Sequence, residues 1–198
     1  MEVGQLELAE HAYSMEHLVT ELMQMFLYNL HGHDVKCRAR FLTPIPQTVI
    51  GDEERVREVL QNVMSNAVKF TKTGKIDLSI SCEKREQDCV YFCCVIEDTG
   101  AGMTEEQLEH VFESYRTYTV DGQEGTGLGM AIVKQLCELM QGDCEISSEV
   151  GKGTRVSVSF YHRAKGEAMV KPNEINHFTL VERIVNYKEN VCPDYTYP

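Results

Sequence analysis

Positive charge is scarce in this sequence. Its 198 residues include 19 lysine and arginine residues against 31 aspartate and glutamate residues, for a formal net charge of -12. Surfaces that bind nucleic acid or anionic membranes need clustered lysine and arginine. The charge balance therefore argues against both kinds of partner, although it leaves room for one small anion site.

Long apolar runs and paired cysteine motifs are also missing. No stretch approaches the roughly 18 apolar residues that a membrane-spanning helix needs. The N-terminus, MEVGQLELAEH, has neither the basic start nor the apolar segment of a signal peptide. The eight cysteines form no C-x-x-C motif, and several lie inside apolar runs. We therefore predict a cytoplasmic protein whose cysteines are reduced and mostly buried.

The hydrophobic periodicity predicts one α/β domain with a polar tail. Ser14 and Asp52 are suited to cap helices that end near residues 30 and 70, and a third long helix runs through LGMAIVKQLCELM. Strands are predicted at VKCRARF, IDLSISCE, CVYFCCVIED, DCEISSE and GTRVSVSF. The third of these is apolar on both faces, so we expect it in the centre of the sheet. The predicted fold class is α/β (α+β), a two-layer sandwich with a mixed β-sheet and three helices on one face.

Shorter segments connect these elements. TPIPQTVIGD is predicted to be irregular because of its prolines, and TKTGK is predicted to be a turn. TEEQLEHVF is predicted to be a short helix, with Thr104 as its N-cap and Gln107 at capping-box spacing. Residues 113–126 show no useful periodicity. A loop of that length inside a compact domain indicates a functional or a disordered segment.

The second helix carries three polar residues beside its apolar stripe. Asn62, Asn66 and Lys69 are spaced four and three residues apart, so they lie on one face of the helix. An amide oxygen is a suitable magnesium ligand, and a lysine ammonium binds phosphate. This polar stripe therefore predicts a site for a cation together with phosphate oxygens. A plain solvated helix face is the alternative.

Two glycine-rich stretches could complete such a site. GTGLGM, residues 125–130, opens the third helix, where backbone N–H groups and the helix dipole favour an anion. It is neither a P-loop nor the dinucleotide fingerprint, and a helix-packing role is the alternative. In EDTGAGM, Asp98 can accept a hydrogen bond from the amine of adenine, while Gly100 and Gly102 leave room for a flat ring. An Asx turn at the strand end is the alternative for Asp98.

The order of these stretches is more specific than any one of them. The chain contains, in turn, QNVMSNAVKFT, EDTGAGM, VFESYR, GTGLGMAIVKQL and GKGT. This series resembles the asparagine box, the phenylalanine box and the two glycine boxes of the ATP-binding domain of sensor histidine kinases. That domain belongs to a superfamily shared with gyrase, the mismatch-repair ATPases and a heat-shock chaperone. The resemblance covers roughly residues 14–161 and implies a domain that binds ATP and Mg²⁺ beneath a flexible ATP lid.

The resemblance also implies roles for individual residues. Asn66 would bind magnesium, Lys69 a phosphate and Arg116 the γ-phosphate, and these three form the implied catalytic set. Asp98 would bind adenine, with Thr154 nearby through water. The residues implied to contact the nucleotide are Asn62, Asn66, Lys69, Phe70, Asp98, Gly100, Gly102, Phe112, Gly125, Thr126, Gly127, Leu128, Gly129 and Thr154.

Position 62 separates two branches of that superfamily. In the gyrase and chaperone branch a glutamate at the matching position activates water, whereas Asn62 cannot act as a general base. This favours phosphoryl transfer to a protein group over hydrolysis. We therefore predict the ATP-binding catalytic domain of a two-component sensor histidine kinase, which transfers the γ-phosphate of ATP to a histidine. The alternative is a non-catalytic nucleotide-sensing module of the same fold.

None of the seven histidines has the sequence context of a phosphate acceptor in that family. The acceptor would then lie on a dimerisation domain outside this chain, and a response regulator receiver domain would be a further partner. We expect residues 1–13 to follow the dimerisation helices and residues 14–161 to form the ATP-binding domain. Residues 162–198 would be a linker or tail of unknown role, with a short helix at HFTLVERIVNYKE. The chain could then be the cytosolic part of a larger, membrane-anchored sensor.

Overall fold

The structure, a computed structural model, describes residues 7–30, 34–85, 88–113 and 128–176. Its helices are α1 (Met15–Asn29), α2 (Glu53–Phe70), α3 (Glu105–Glu109) and α4 (Gly129–Leu139). Its strands are β1 (His11–Tyr13), β2 (Asp34–Phe41), β3 (Ile45–Pro46), β4 (Val49–Gly51), β5 (Thr73–Lys84), β6 (Cys89–Asp98), β7 (Cys144–Glu149), β8 (Gly153–Ala164), β9 (Met169–Val170) and β10 (Glu174–Ile175).

One mixed sheet of eight strands organises the domain. The strands lie in the order β1-β4-β8-β6-β5-β2-β10, and β7 also pairs with β8. β2 and β5 run parallel, whereas the other pairs in this sheet are antiparallel. β6 lies between β5 and β8, which confirms the central position predicted from its apolar sequence.

Alternate residues of the central strands form one side of the hydrophobic core. Phe92 of β6 stacks on Phe160 of β8, with the ring centroids 5.6 Å apart. The buried stripes of α1, α2 and α4 belong to the same core. A layer of helices therefore covers a mixed sheet, and the predicted α/β fold class is confirmed.

The three predicted helix starts are confirmed by their capping contacts. The side chains of Ser14 and Asp52 each accept a backbone N–H from the first turn of α1 and α2, at 3.3 Å and 3.1 Å. Thr104 and Gln107 form a complete capping box at the start of α3. These contacts are local in sequence, so local sequence could predict them.

The connecting segments differ from the sequence prediction. TKTGK is not a free turn, because β5 begins at Thr73 and pairs with β2 from there onward. TPIPQTVIGD contains β3 and β4 rather than only irregular chain. The helix predicted over TEEQLEHVF ends at Glu109. In the first two cases, pairing with a distant strand overrides the weak local preference of the segment.

Residues 162–176 pack against the domain. β8 continues to Ala164, β9 pairs with β3, and β10 pairs with the outer edge of β2. Asn173 Nδ2 donates to Glu16 Oε1 at 2.9 Å, and Ile175 is fully buried. Residues 165–176 therefore pack on the domain where the sequence predicted a linker. HFTLVERIVNYKE lies outside the described residues.

The segment before α1 is also part of the fold. β1 pairs with β4, and Ala9 donates its N–H to Asp52 Oδ2 at 2.8 Å. The Tyr13 hydroxyl lies 2.7 Å from His162 Nε2, and both side chains are buried. His162 Nδ1 donates to the Tyr161 carbonyl, so Nε2 of the neutral ring accepts a hydrogen bond from the Tyr13 hydroxyl. Burial lowers the pKa of His162, and the hydrogen bond to the Tyr161 carbonyl partly offsets this shift.

The composition predicted reduced, mostly buried cysteines and no membrane-spanning helix. All seven cysteines in the described ranges are free thiols, and five of them are buried: Cys37, Cys82, Cys94, Cys137 and Cys144. Burial raises the pKa of each of these five thiols. In the same ranges, every helix is too short or too polar to cross a membrane.

Candidate nucleotide-binding site

The polar stripe of α2 lies on the side of the helix that faces away from the core. Six apolar residues of α2 are buried: Val56, Val59, Leu60, Val63, Met64 and Ala67. Asn62, Asn66 and Lys69 are each partly exposed. Phe70 is also partly exposed, and Lys69 Nζ lies 5.0 Å from the centre of its ring. Two amides, an ammonium and an aromatic edge are therefore accessible along one helix.

Asn62 connects this stripe to the start of α4. Its Nδ2 donates to the Glu58 carbonyl at 2.9 Å. A Cβ on Gly129 would lie 3.0 Å from Asn62 Oδ1, so glycine allows α4 to begin this close to α2. Gly129 therefore has the packing role that was the alternative to a phosphate contact.

The N-terminus of α4 has a property that anion sites use. Leu128 is its N-cap residue and supplies no side-chain hydrogen bond to the helix. The first N–H groups of a helix have no partner within the helix itself. In the described part of the chain, these donors at α4 therefore lack a side-chain cap and can serve an anion.

Asp98 ends β6 beside the C-terminal end of α2. Its Oδ1 accepts the N–H of Gly100 at 2.8 Å, which is the Asx turn that the sequence left open as an alternative. The pKa of Asp98 is raised: burial raises it, and the N–H groups of Gly100 and Thr154 and the hydroxyl of Thr71 lower it in part. The carboxyl is thus half-buried among donors and still has acceptor capacity, because an ionised carboxylate can accept about four hydrogen bonds.

The glycines after Asp98 make room for protein backbone. A Cβ on Gly100 would overlap the Phe70 carbonyl oxygen, and one on Gly102 would overlap the Glu149 carbonyl oxygen. Gly102 also has φ +68°, which side chains disfavour. The sequence interpretation assigned this space to a flat ring. In the structure both glycines allow close packing against protein backbone, and their contact with a flat ring stays a prediction.

The β7–β8 hairpin supports the same loop from the other side. Met103 donates its N–H to Ser148 Oγ at 2.9 Å, and Ser148 Oγ in turn donates to the Gly153 carbonyl at 2.9 Å. Thr154 Oγ1 lies 2.9 Å from Ser148 Oγ. Thr154 lies close to Asp98, because its backbone N–H is one of the groups that lower the pKa of that carboxyl and a Cβ on Gly153 would overlap the Asp98 carbonyl oxygen. Its contact with a nucleotide stays a prediction. Ser148 was missed, since no motif marks it.

Phe112 follows α3 and packs partly buried against the core. Lys134 Nζ of α4 lies 5.7 Å from the centre of its ring. The aromatic ring thus links the end of the α3 region to α4. Four other predicted site residues, Arg116, Gly125, Thr126 and Gly127, lie outside the described residues, so their roles stay predictions.

Chains of known function share this arrangement. A family described as histidine kinase-, DNA gyrase B- and HSP90-like ATPases matches residues 51–164. The chain belongs to this family. The resemblance to the ATP-binding domain of sensor histidine kinases is thereby confirmed, and Asp98 and the α2 stripe lie within the matched region.

Individual relatives of this ATPase-family chain are histidine kinases. Hybrid signal transduction histidine kinase B of Dictyostelium discoideum is 29% identical over 161 residues, which is 79% of this chain and 8% of that protein. Aerobic respiration control sensor protein ArcB of Escherichia coli (strain K12) is 35% identical over 124 residues, or 60% of this chain and 15% of that protein. The chain therefore spans only a small part of these relatives.

Solved structures show the same fold. Full-length ShkA in complex with AMPPNP has a TM-score of 0.66 and 26% identity, over 82% of this chain and 33% of that chain. The mycobacterial sensor histidine kinase MprB has a TM-score of 0.60 and 22% identity, over 79% of this chain and 100% of that chain. The second likeness concerns the fold alone.

Proposed function

We propose that this chain binds Mg-ATP and, with a histidine-bearing dimerisation domain, transfers the γ-phosphate of ATP to that histidine. It would then be the catalytic domain of a two-component sensor histidine kinase, with a response regulator receiver domain as the next acceptor. The proposal includes a cytosolic location, because ATP is available there. It rests on the family and on the chemistry of the site residues.

The side chain of Asn62 is the observation that favours phosphoryl transfer over ATP hydrolysis. Its Nδ2 is engaged with the Glu58 carbonyl, so the group that faces the start of α4 is an amide oxygen. An amide takes up no proton at neutral pH and cannot activate water. Phosphoryl transfer depends mostly on positioning and charge stabilisation, so the acceptor group must come from a partner.

The two ends of ATP match two different parts of the site. Asp98 is an acceptor at the mouth of the loop after β6, suited to the exocyclic amine of adenine. Lys69 supplies positive charge for the phosphates, and the N-terminus of α4, where Leu128 provides no side-chain cap, supplies N–H donors. Arg116, Gly125 and Gly127 would add further phosphate contacts.

Magnesium fits the donor set of this site. The described residues contain no cluster of three histidine, cysteine, aspartate or glutamate side chains that could hold a metal alone. Asn66 offers a single amide oxygen on the exposed side of α2. Magnesium is usually bound by one or two protein ligands with phosphate oxygens and water as the rest. We propose Asn66 as that ligand, and the bound ion would neutralise charge on the phosphates.

Binding of the base can be measured without any partner. Asp98→Ala should weaken Mg-ADP binding about 5- to 150-fold, because a buried acceptor is lost at a cost of about 1–3 kcal/mol. Calorimetry on the isolated chain measures this directly. Glu97→Ala is the matched control, since Glu97 is exposed and pairs with Arg155 on the surface. An unchanged affinity in Asp98→Ala would remove Asp98 from the site.

Transfer can be tested with γ-labelled ATP. We expect the isolated chain to acquire no acid-labile label, and a chain supplied with a histidine-bearing dimerisation domain to label that domain. Asn66→Ala should abolish the label, whereas Ser65→Ala, an exposed neighbour on α2, should retain it. If ADP binds but no dimerisation domain is ever labelled, the nucleotide-sensing module replaces the kinase proposal.

The role of position 62 has its own test. The wild-type chain should release phosphate from ATP very slowly in a steady-state assay. Asn62→Glu introduces a carboxylate that can act as a base, while Asn62→Gln has the same size without one. We expect faster phosphate release from the glutamate variant than from the glutamine variant. Rapid hydrolysis by the wild-type chain would overturn the preference for transfer.

A further inference from the structure

Thr71 has a buried hydroxyl that nothing in the described structure satisfies. The residue follows α2 directly, donates its backbone N–H to the Ala67 carbonyl at 3.1 Å, and is 4% exposed. Its Oγ1 has no hydrogen-bond partner within the described residues. Buried polar groups are normally paired, and an orphan of this kind calls for a specific explanation.

The surroundings of Thr71 place this hydroxyl at Asp98. The preceding carbonyl, of Phe70, accepts the N–H of Ala101 at 3.1 Å, so the end of α2 is fixed to the loop after β6. A Cβ on Gly100 would overlap the same carbonyl, which shows how closely the two backbones approach. The same Cβ would lie 2.9 Å from Asp98 Oδ1, so the carboxyl is next to the end of α2. The Thr71 hydroxyl is one of the groups that lower the pKa of Asp98, yet it forms no hydrogen bond of ordinary geometry.

We propose that Thr71 is a positioning residue for adenine recognition, whose hydroxyl donates a hydrogen bond to the Asp98 carboxylate when a nucleotide is bound. This inference rests on the proposed binding of ATP. Asp98 Oδ1 already accepts the Gly100 N–H, and the carboxylate can accept the Thr71 hydroxyl and the adenine amine as well. A donor beside a carboxylate favours its ionised form, which accepts hydrogen bonds only.

The ionised form is the one that discriminates between bases. Adenine carries a donor amine where guanine carries an acceptor carbonyl. A carboxylate attracts the first and repels the second, whereas a protonated carboxyl can donate to the guanine carbonyl. Burial already favours protonation of Asp98. Loss of the Thr71 hydroxyl should therefore weaken adenine binding and reduce the preference for adenine over guanine. Because the pKa of Asp98 would rise, tight adenine binding would also require a higher pH.

Thr71→Val and Thr71→Ser separate this role from a merely structural one. Valine keeps the shape and removes the hydroxyl, while serine keeps the hydroxyl. We expect Thr71→Val to bind Mg-ADP about 5- to 20-fold more weakly at pH 7, with a smaller ADP-to-GDP preference, and Thr71→Ser to restore both. In the valine variant, ADP binding should lose its strength at a higher pH than in wild type as the pH is lowered. Thr73→Val, at an exposed position two residues away, is the matched control.

The stability of the nucleotide-free protein gives an independent readout. Because the Thr71 hydroxyl is unpaired there, its replacement by a methyl group should leave the melting temperature unchanged or raise it. Weaker ADP binding without lower stability would support the positioning role. Equal ADP binding and an equal pH profile in wild type and Thr71→Val would overturn it. A wild-type chain that fails to bind ADP would instead overturn the proposed function itself.

Discussion

The buried hydrogen bond between Tyr13 and His162 joins the first strand to β8. Tyr13→Phe removes one oxygen atom and leaves His162 Nε2 as a buried acceptor without its donor. Such a loss costs about 1–3 kcal/mol. For a chain of this size that corresponds to a fall of roughly 2–12 °C in melting temperature. Urea unfolding at pH 7.5 should show a lower midpoint with an unchanged m-value.

The matched control is Tyr161→Phe. Tyr161 lies on the partly exposed face of β8 with its ring centroid 4.8 Å from that of Tyr91, and no hydrogen bond of its hydroxyl occurs among the described residues. We expect its loss to change stability by less than about 0.5 kcal/mol. Equal effects of the two substitutions would show that the bond to His162 does not hold β1 in place.

The same pair predicts a pH dependence of stability. Burial lowers the pKa of His162 below its ordinary value of 6.5, with Glu10 and Asp52 opposing the shift from nearby. Below pH 6.5 the unfolded chain therefore binds more protons at this ring than the folded chain does. The contribution of His162 to stability is fully present above pH 6.5 and is lost as the pH falls, by at most about 1.4 kcal/mol per pH unit. His162→Gln should flatten this part of the curve. Parallel curves for both proteins between pH 5 and 7 would refute the reasoning.

Three further substitutions probe the scaffold of the site. Asp52→Ala removes the cap of α2 and the acceptor of the Ala9 N–H, so urea unfolding should show a loss of about 1–3 kcal/mol; a loss below 0.5 kcal/mol would contradict it. Gly102→Ala combines a φ of +68° with overlap at the Glu149 carbonyl, so we expect a loss above about 1 kcal/mol together with weaker ADP binding. Leu60→Ala creates a cavity at a fully buried position and should cost about 2–5 kcal/mol without a change in the adenine preference of the folded protein.

Local sequence signals account for the parts of the fold that were predicted. The caps at Ser14, Asp52 and Thr104 and the apolar run of β6 each occupy one short stretch, and the structure confirms all four. β9 and β10 have two residues each, and their partners lie more than a hundred residues away. Strands of that length have no periodicity to detect, so only the assembled sheet reveals them.

Some features of the candidate site could be predicted from the sequence and others could not. The spacing of Asn62, Asn66 and Lys69 on one helix face could be predicted because helix geometry converts spacing directly into position. The need for glycine at position 102 could not be predicted, because the Glu149 carbonyl that a side chain would overlap belongs to a hairpin nearly fifty residues away. The sequence did not single out Thr71, because whether a hydroxyl lacks a hydrogen-bond partner depends on the residues around it and not on the residue type.

The contact between Asn173 and Glu16 has a consequence for how this domain can be joined to others. It brings the last described stretch of chain to the beginning of α1, two residues after β1 ends. β1 and β10 nevertheless lie at opposite ends of the strand order, so segments attached before residue 9 and after residue 176 would leave the sheet at opposite edges. Modules joined on the two sides would therefore be separated by the width of the sheet. The Asn173–Glu16 contact would transmit a displacement of the later segment to the start of α1.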